Sequence, residues 1–247
     1  MEVKLSVVIP AYNEAKNLQG GSLDEVEAYF KKQNYSYEVL IVDDGSTDAT
    51  CELITRKIKD KKNFKLIKNP HGGKAIAVMS GLLKSLGDVA IFTDMDQATP
   101  IDQVEKFFPK FEEGFDIIIG SRQGRSGAPL VRKAMATGYS AVRRLILGLP
   151  FSDTQCGFKG FNRQAINGIF PYLLSTWEKR KIGGAAVNAG FDVETLFLAR
   201  KKGFRIAEVQ VSWRHVGSER VQAINDSIEA VKDIFRIRLN DLQGKYK

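Results

Sequence analysis

The sequence predicts an α/β protein built on a mostly parallel central sheet flanked by helices. Three observations carry this. In the first half, short apolar runs alternate with segments of helical period. The polar clusters Tyr12/Asn13/Glu14, Asp43/Asp44 and Asp94/Asp96 each follow one of those apolar runs. No repeat or low-complexity linker divides the 247 residues, a length that fits one large α/β domain or two small ones.

Taken in order, 5–10 is a buried-strand run, and 15–32 reads as a helix through Leu18, Leu23, Val26 and Phe30. Strand 37–42 ends in Asp43-Asp44-Gly45-Ser46, where Gly45 permits a tight turn and Ser46 or Thr47 can cap a helix over 47–58. Strand 64–67 leads to Gly72-Gly73 and a helix over 74–86, and strand 89–92 runs into Asp94-Met95-Asp96. This order implies parallel strands joined by right-handed crossovers. Further on, 115–120 is expected as a strand, 130–147 as an apolar, basic helix and 153–159 as a polar loop. Residues 190–202 read as a helix and 206–213 as a last strand. Ile224, Ile228, Val231, Phe235, Leu239 and Leu242 fall on one face of a C-terminal helix.

Composition narrows the class. A hydrophobic share of 43% and a charged share of 27% describe a globular chain rather than a disordered one. No stretch approaches the ~20 apolar residues of a membrane span, so work at a membrane would be done from its surface. Cys51 and Cys156 form no CxxC, and with two histidines they build no zinc-finger pattern. A reduced, cytoplasmic chain is expected. The net charge of +8, from 37 Lys+Arg against 29 Asp+Glu, is compatible with nucleic acid, anionic membrane or phosphorylated ligands.

Ligands of open parallel sheets bind at the carboxyl ends of the strands, so three polar clusters on successive strand ends converge on one crevice. In Asp94-Met95-Asp96 the two carboxylates share a side of an extended segment and suit Mg²⁺ or Mn²⁺, which prefer oxygen ligands and substrate phosphates. Asp44 is placed to accept from a base or ribose. Lys74, after Gly72-Gly73 at a helix start, is placed for a diphosphate. Gly-Gly-Lys-Ala is not a Walker A sequence, which argues against a P-loop NTPase. His71 reads as structural, and His215 as a minor candidate for an additional metal ligand. From 120 to 152 there is no acidic residue, while Arg122, Arg125, Arg132, Lys133, Arg143 and Arg144 lie there. Arg132 and Arg143 are expected on nearly one face of a basic amphipathic helix suited to a membrane surface. With Tyr139 the one aromatic of the 130–147 helix, the segment offers no stacking platform for nucleic acid, and none is expected as a partner.

Val7-Val8-Ile9-Pro10-Ala11-Tyr12-Asn13-Glu14, Val42-Asp43-Asp44-Gly45-Ser46-Thr47-Asp48 and Asp94-Met95-Asp96 resemble the family 2 glycosyltransferases of GT-A fold. The resemblance implies that Pro10, Tyr12, Glu14, Val42 and Asp44 hold the nucleotide, and that Asp94 and Asp96 hold metal and diphosphate. Met95, between the aspartates, goes with the nucleotide side. Asp153-Thr154-Gln155-Cys156-Gly157-Phe158-Lys159, Gly120-Ser121-Arg122, Gly190-Phe191-Asp192-Val193-Glu194, and Trp213 with Gly217-Ser218 resemble the polyprenyl-phosphate branch. That branch includes dolichyl-phosphate glucosyltransferases and mannose synthases. It implies that Arg122 and Arg132 bind a lipid phosphate. Thr99-Pro100 and the 153–159 string look closer to the glucosyl members. The final motif carries Glu219-Arg220 where a Lys usually follows Ser218, and Arg220 is the candidate for the missing cation at the diphosphate.

The resulting expectation is one GT-A domain over 1–247. Residues about 1–120 form a nucleotide-sugar half, about 121–220 an acceptor half and 221–247 a C-terminal amphipathic helix. It would transfer a hexose from a nucleotide sugar, UDP-glucose-like before GDP-mannose, to a polyprenyl or dolichyl phosphate. The reaction would be inverting and metal-dependent, carried out peripherally at a membrane. If the acceptor were a saccharide hydroxyl, a carboxylate base would be needed, and Asp153 and Asp192 are the candidates. A non-catalytic nucleotide- or RNA-binding module is the remote third reading. The stretch 176–189 matches no motif, and its paired glycines suit a hinge near the acceptor.

Overall fold

The computed structural model describes residues 4–122, 130–179, 189–214 and 223–246. Seven strands form one sheet: β1 (Leu5–Ala11), β2 (Tyr37–Asp43), β3 (Phe64–Lys68), β4 (Val89–Phe92), β5 (Ile117–Arg122), β6 (Lys159–Asn162) and β7 (Ile206–Val211). Their order across the sheet is β3-β2-β1-β4-β6-β5-β7. β1 pairs in parallel with β2 and β4, β2 with β3, and β5 with β7. Only β6 runs antiparallel, to both β4 and β5. The sheet thus joins strands from both halves of the chain.

Alternation along the strands sorts side chains to two faces. Val8, Leu40, Val42, Phe92, Ile117, Ile119 and Phe161 face one buried cluster. It is covered by α4 (Lys74–Lys84), α7 (Arg163–Trp177), α8 (Ala189–Lys201) and α9 (Ala223–Leu242). Val7, Ile9, Val39, Ile41, Ile91, Ile118 and Phe158 face the other. That side is covered by α1 (Ala15–Gln19), α2 (Ser22–Phe30), α3 (Thr50–Ile58) and the segment from a 3₁₀ turn at Ile101–Lys106 into α5 (Phe108–Glu112). α6 (Leu130–Leu147) packs against α9.

The expected strands are present, with boundaries moved by a few residues. The helix expected over 15–32 is two helices, because the chain turns at Gly20-Gly21 and Gly21 takes φ +90°. α3 begins at Thr50 without a side-chain cap. Ser46 and Thr47 do not cap it: Ser46 Oγ accepts from the Asn13 N–H at 3.0 Å, and the Thr47 N–H donates to Asn13 Oδ1 at 2.9 Å. β6 and α7 were not anticipated. β6 is four residues, Lys-Gly-Phe-Asn, too short and too polar to read as a strand until its neighbours are in place. Asn162 then caps α7, its Oδ1 accepting from the Ala165 N–H at 2.8 Å.

Candidate active site

Parallel strands bring their carboxyl ends to one rim of the sheet, and antiparallel β6 brings its amino end to the same rim. Lys159, first residue of β6, is therefore in register with Phe92 at the end of β4 and with Ile119 of β5. Arg122 pairs with Val211 at the end of β7, two residues before Trp213. The polar cluster after β1, the acidic clusters after β2 and β4, Arg122 and Lys159 thus share one edge. Among the described residues the two non-glycine residues with positive φ are Asn13 (53°) and Gln97 (49°), both on this rim. Such conformations cost of order 1–3 kcal/mol and concentrate at functional sites.

Asp44 is 1% exposed. Its carboxylate accepts from the N–H groups of Gly72 (2.9 Å) and Gly73 (2.8 Å), and His71 Nδ1 lies 2.9 Å from Oδ2. This holds the 71–73 turn against the β1 end, where the His71 ring stacks on Tyr12 with centroids 4.3 Å apart. His71, expected to be merely structural, therefore sits among the candidate nucleotide residues. Glu14 receives a hydrogen bond from Asn17 Nδ2 beside them.

Lys74 opens α4 and places its ammonium on Asp94 Oδ1. Burial works against the charged amine, but Asp94, Asp192 and Asp96 outweigh it and raise the Lys74 pKa above its ordinary value. Asp94 and Asp96 supply oxygen donors of the kind Mg²⁺ and Mn²⁺ take, at a place where a cationic ammonium already rests, so the residues fit such an ion. Among the described residues no third His, Cys, Asp or Glu joins them. Phosphate and water would complete the coordination.

On the other side of Asp94 lie Arg122, Gln155, Gly157, Thr99 and Trp213, lining a cavity of about 60 Å³. The Arg122 fork is bidentate on Asp153, Nε to Oδ2 at 2.6 Å and Nη2 to Oδ1 at 2.9 Å, and its guanidinium lies 5.9 Å from the Trp213 ring centroid. Burial pushes the Asp153 carboxyl up, but Arg122 more than compensates and holds it below the usual carboxylate range. Asp192, on α8, accepts from Lys159 Nζ at 2.6 Å, and Lys159 is completely buried beneath the rim. Burial also raises the Cys156 thiol, keeping it neutral in the cavity wall.

Several expectations change. Asp153 and Asp192 are not free bases, since each carboxylate is claimed by a cation. The Met95 side chain is 3% exposed and receives the Ser22 hydroxyl, so it is packed into the core rather than open at the rim. Val42 is fully buried in the cluster beneath α4, which leaves its backbone alone for a ligand. Pro10 is likewise buried within β1. Arg143 is not on a basic outer face: it is 2% exposed and turned inward. Arg132 lies in α6 with its side chain outside the described residues; Arg125, His215, Gly217, Ser218, Arg220 and 180–188 lie outside them entirely. Lys159, His71 and Gly157 stand at the candidate site without a role having been assigned to them from the sequence. The signal available for each was its position beside a glycine or within the 153–159 string.

Comparison with known proteins agrees with this geometry. The family described as Glycosyl transferase family 2 matches residues 6–170. The chain is 34% identical to the dolichyl-phosphate beta-glucosyltransferase of Dictyostelium discoideum, covering 99% of this chain and 77% of that protein. It is 33% identical to the Saccharomyces cerevisiae enzyme of the same name, covering 100% and 77%. Among solved structures, glucosyl-3-phosphoglycerate synthase from Mycobacterium tuberculosis, in complex with Mn²⁺, UDP-glucose and phosphoglyceric acid, superposes with a TM-score of 0.67. It is 18% identical, with 96% of this chain and 80% of that chain covered. Mannosyl-3-phosphoglycerate synthase from Rubrobacter xylanophilus gives a TM-score of 0.69 at 18% identity, covering 98% and 75%. The fold is GT-A, and the chain is an enzyme belonging to glycosyltransferase family 2.

Proposed function

We propose that the protein transfers glucose from a UDP-sugar to a dolichyl or other polyprenyl phosphate, with inversion, using Mg²⁺ or Mn²⁺ held by Asp94 and Asp96. The similarity to dolichyl-phosphate beta-glucosyltransferases along nearly the whole chain supports glucose as the sugar and dolichyl phosphate as the acceptor. The observation that carries the acceptor class is the state of Asp153 and Asp192. Both carboxylates beside the crevice are bound to cations, and Asp153 is further acidified, which suits neither to taking a proton from a sugar hydroxyl. A phosphate monoester is anionic near neutral pH and needs no base.

In this reading the Tyr12–His71 stack receives the base, and Asp44 acts by holding the 71–73 turn. Pro10 and Val42 contribute backbone, and Glu14 borders the nucleotide. Lys74 lies against the diphosphate. A bound divalent ion would neutralise charge developing on the leaving diphosphate. Arg122 faces the acceptor phosphate from the opposite wall, with Trp213 beneath its guanidinium. Arg132 and Arg220 are assigned on sequence to the acceptor phosphate and the diphosphate. The acceptor oxygen attacks the anomeric carbon from the face opposite the diphosphate. The bond to the nucleotide breaks, and its electron pair leaves with the β-phosphate. The protein contributes alignment and fixed charge.

Access to a lipid substrate is assigned to α9 and α6. Phe235 (57% exposed), Leu239 (55%) and Leu242 (70%) follow one another at helical steps of four and three, and Leu145 on α6 is 86% exposed. Arg236, Arg238 and Arg144 are exposed near them in sequence, the composition of an interfacial helix. Among the described residues no helix is long and apolar enough to cross a membrane.

The test is turnover of UDP-glucose, with GDP-mannose in parallel, against dolichyl phosphate in detergent with Mn²⁺ or Mg²⁺, scored as organic-extractable labelled sugar. EDTA-sensitive lipid product from UDP-glucose supports the reading. Metal-dependent UDP release only with a saccharide acceptor would retain the donor site and replace the acceptor by a hydroxyl.

A further inference from the structure

Arg143 is buried to 2% exposure, yet its guanidinium is held by neutral acceptors: Thr154 Oγ1 at 2.9 Å, Ser140 Oγ at 3.1 Å and the Phe151 carbonyl. Its Nε has no hydrogen-bond partner among the described residues. Burying a guanidinium without a contacting carboxylate is costly, and an apolar side chain would pack an α6 interior more cheaply. The charge is nonetheless not isolated: the Tyr139 ring centroid lies 5.7 Å from it, and Asp153 and Glu208 act on it electrostatically from beyond contact.

Glu208 projects from β7 to the same segment. Its Oε1 accepts from the N–H groups of Ser152 (3.0 Å) and Asp153 (2.9 Å), and its Oε2 from Ser152 (2.9 Å). Residues 151–154 are therefore gripped from α6 by a cation on a carbonyl and a hydroxyl, and from β7 by a carboxylate on two amides. The residue between these grips is Asp153, whose side chain fixes the Arg122 fork. Arg143 and Glu208 thus hold the segment, and Asp153 carries its position to Arg122, so moving either holding residue displaces the charge-assisted Asp153–Arg122 contact.

We propose that Arg143 and Glu208 are positioning residues for the acceptor site: they hold 151–154 so that Asp153 aims the Arg122 guanidinium at the incoming phosphate. This rests on the acceptor reading above and adds to it two residues that touch no substrate. Their effect is expected on one substrate, since Tyr12 after β1, His71 in the turn after β3 and Lys74 at the start of α4 take no part in the grip.

The experiment measures KM for dolichyl phosphate and for UDP-glucose, with kcat, in the full chain carrying Arg143→Met, Arg143→Lys or Glu208→Gln. Circular dichroism and thermal unfolding confirm the folded state. The expected result is an acceptor KM raised about tenfold in Arg143→Met and Glu208→Gln, with the UDP-glucose KM within about twofold and partial recovery in Arg143→Lys. In an Arg122→Gln background, Glu208→Gln is expected to change acceptor KM less than about twofold, because the residue acts through Arg122. An unchanged acceptor KM in a folded variant, parallel changes in both KM values, or full additivity with Arg122→Gln would overturn the proposal. If the wild type glucosylates no dolichyl phosphate, the acceptor reading itself fails. The grip is then judged by amide hydrogen exchange. Glu208→Gln should deprotect Arg122, whose N–H reaches Asp153 Oδ2 at 3.3 Å, as well as Ser152 and Asp153. Deprotection confined to Ser152 and Asp153 would overturn it.

Discussion

Gly157 lays its backbone directly against the Asp94 carboxylate: a Cβ at position 157 would lie 2.1 Å from Oδ2 and 2.8 Å from Cγ. The glycine of the 153–159 string thereby sets how closely the proposed acceptor wall approaches the aspartate proposed to hold the ion. Gly157→Ala must push Asp94 aside or open the loop. The expected outcome is turnover lowered at least about tenfold, or about 1.4 kcal/mol in the barrier, with a raised Mn²⁺ requirement. Metal titration of initial rates, alongside thermal unfolding, checks it. Unchanged rates would mean that the loop yields and that Asp94 is not held by it.

Asp94→Asn with Asp96→Asn removes the proposed ion's protein ligands and leaves the Lys74 ammonium without the carboxylate it contacts. Turnover is expected to fall by roughly 10²–10³ or more, the scale of losing electrostatic stabilisation of a leaving anion. The same loss should follow EDTA treatment of the wild type and reverse on adding Mn²⁺. Calorimetry with UDP separates loss of chemistry from loss of nucleotide binding.

Tyr12→Ala should weaken UDP binding more than acceptor binding, because the ring it removes stacks on His71 at 4.3 Å at the proposed base site. Base stacking on an aromatic is worth about 1–3 kcal/mol, so Kd for UDP is expected to rise by about 5- to 150-fold. Calorimetric titration of UDP into the variant measures this. An unaltered Kd would move the base elsewhere on the rim.

The Arg122–Asp153 pair has a pH signature. The Asp153 pKa is lowered on folding, so its ionisation stabilises the folded state above the unfolded value of about 3.9 and ceases to as pH falls through the lower folded value. Asp153→Asn leaves Arg122 without its carboxylate and should cost roughly 2–4 kcal/mol near pH 7, at the low end for a broken pair because both side chains retain some exposure. The difference in Tm between wild type and variant is expected to be largest at neutral pH and to shrink below about pH 4. A difference independent of pH would assign the loss to packing.

Phe235→Ser, Leu239→Ser and Leu242→Ser together remove the exposed apolar stripe of α9. Co-sedimentation with phosphatidylcholine–phosphatidylserine vesicles should fall severalfold. Turnover with a detergent-solubilised acceptor should stay near wild type, and stability should change by no more than about 0.5 kcal/mol per site. Equal vesicle binding by both proteins would place the membrane face elsewhere.

The order of strands β1 to β4, the clusters at their ends and the placement of Lys74 at a helix start were legible in the residues. Each rests on local chemistry: apolar runs of strand length, glycine turns, acidic residues following strands. Asp94 and Asp96 could be marked for an ion because spacing alone places two carboxylates together. What local pattern could not show is which groups were already engaged. Asp153 and Asp192 looked equally available as bases, and Arg143 looked like surface charge. Their partners stand 31 residues from Asp153, 33 from Asp192 and 3, 8 and 11 from Arg143.

By itself, then, the sequence determined the α/β class and its strand-end clusters, since these follow from periodicity and turn chemistry within single segments. Its motif resemblance determined the family. Only the tertiary structure decided that β6 inserts antiparallel between β4 and β5. That insertion brings Lys159 and the 153–157 loop onto the rim beside Asp94, and it sets the roles of Asp153, Asp192 and Arg143. The physical reason is that a buried charge takes its character from the groups packed around it, and those arrive from distant parts of the chain.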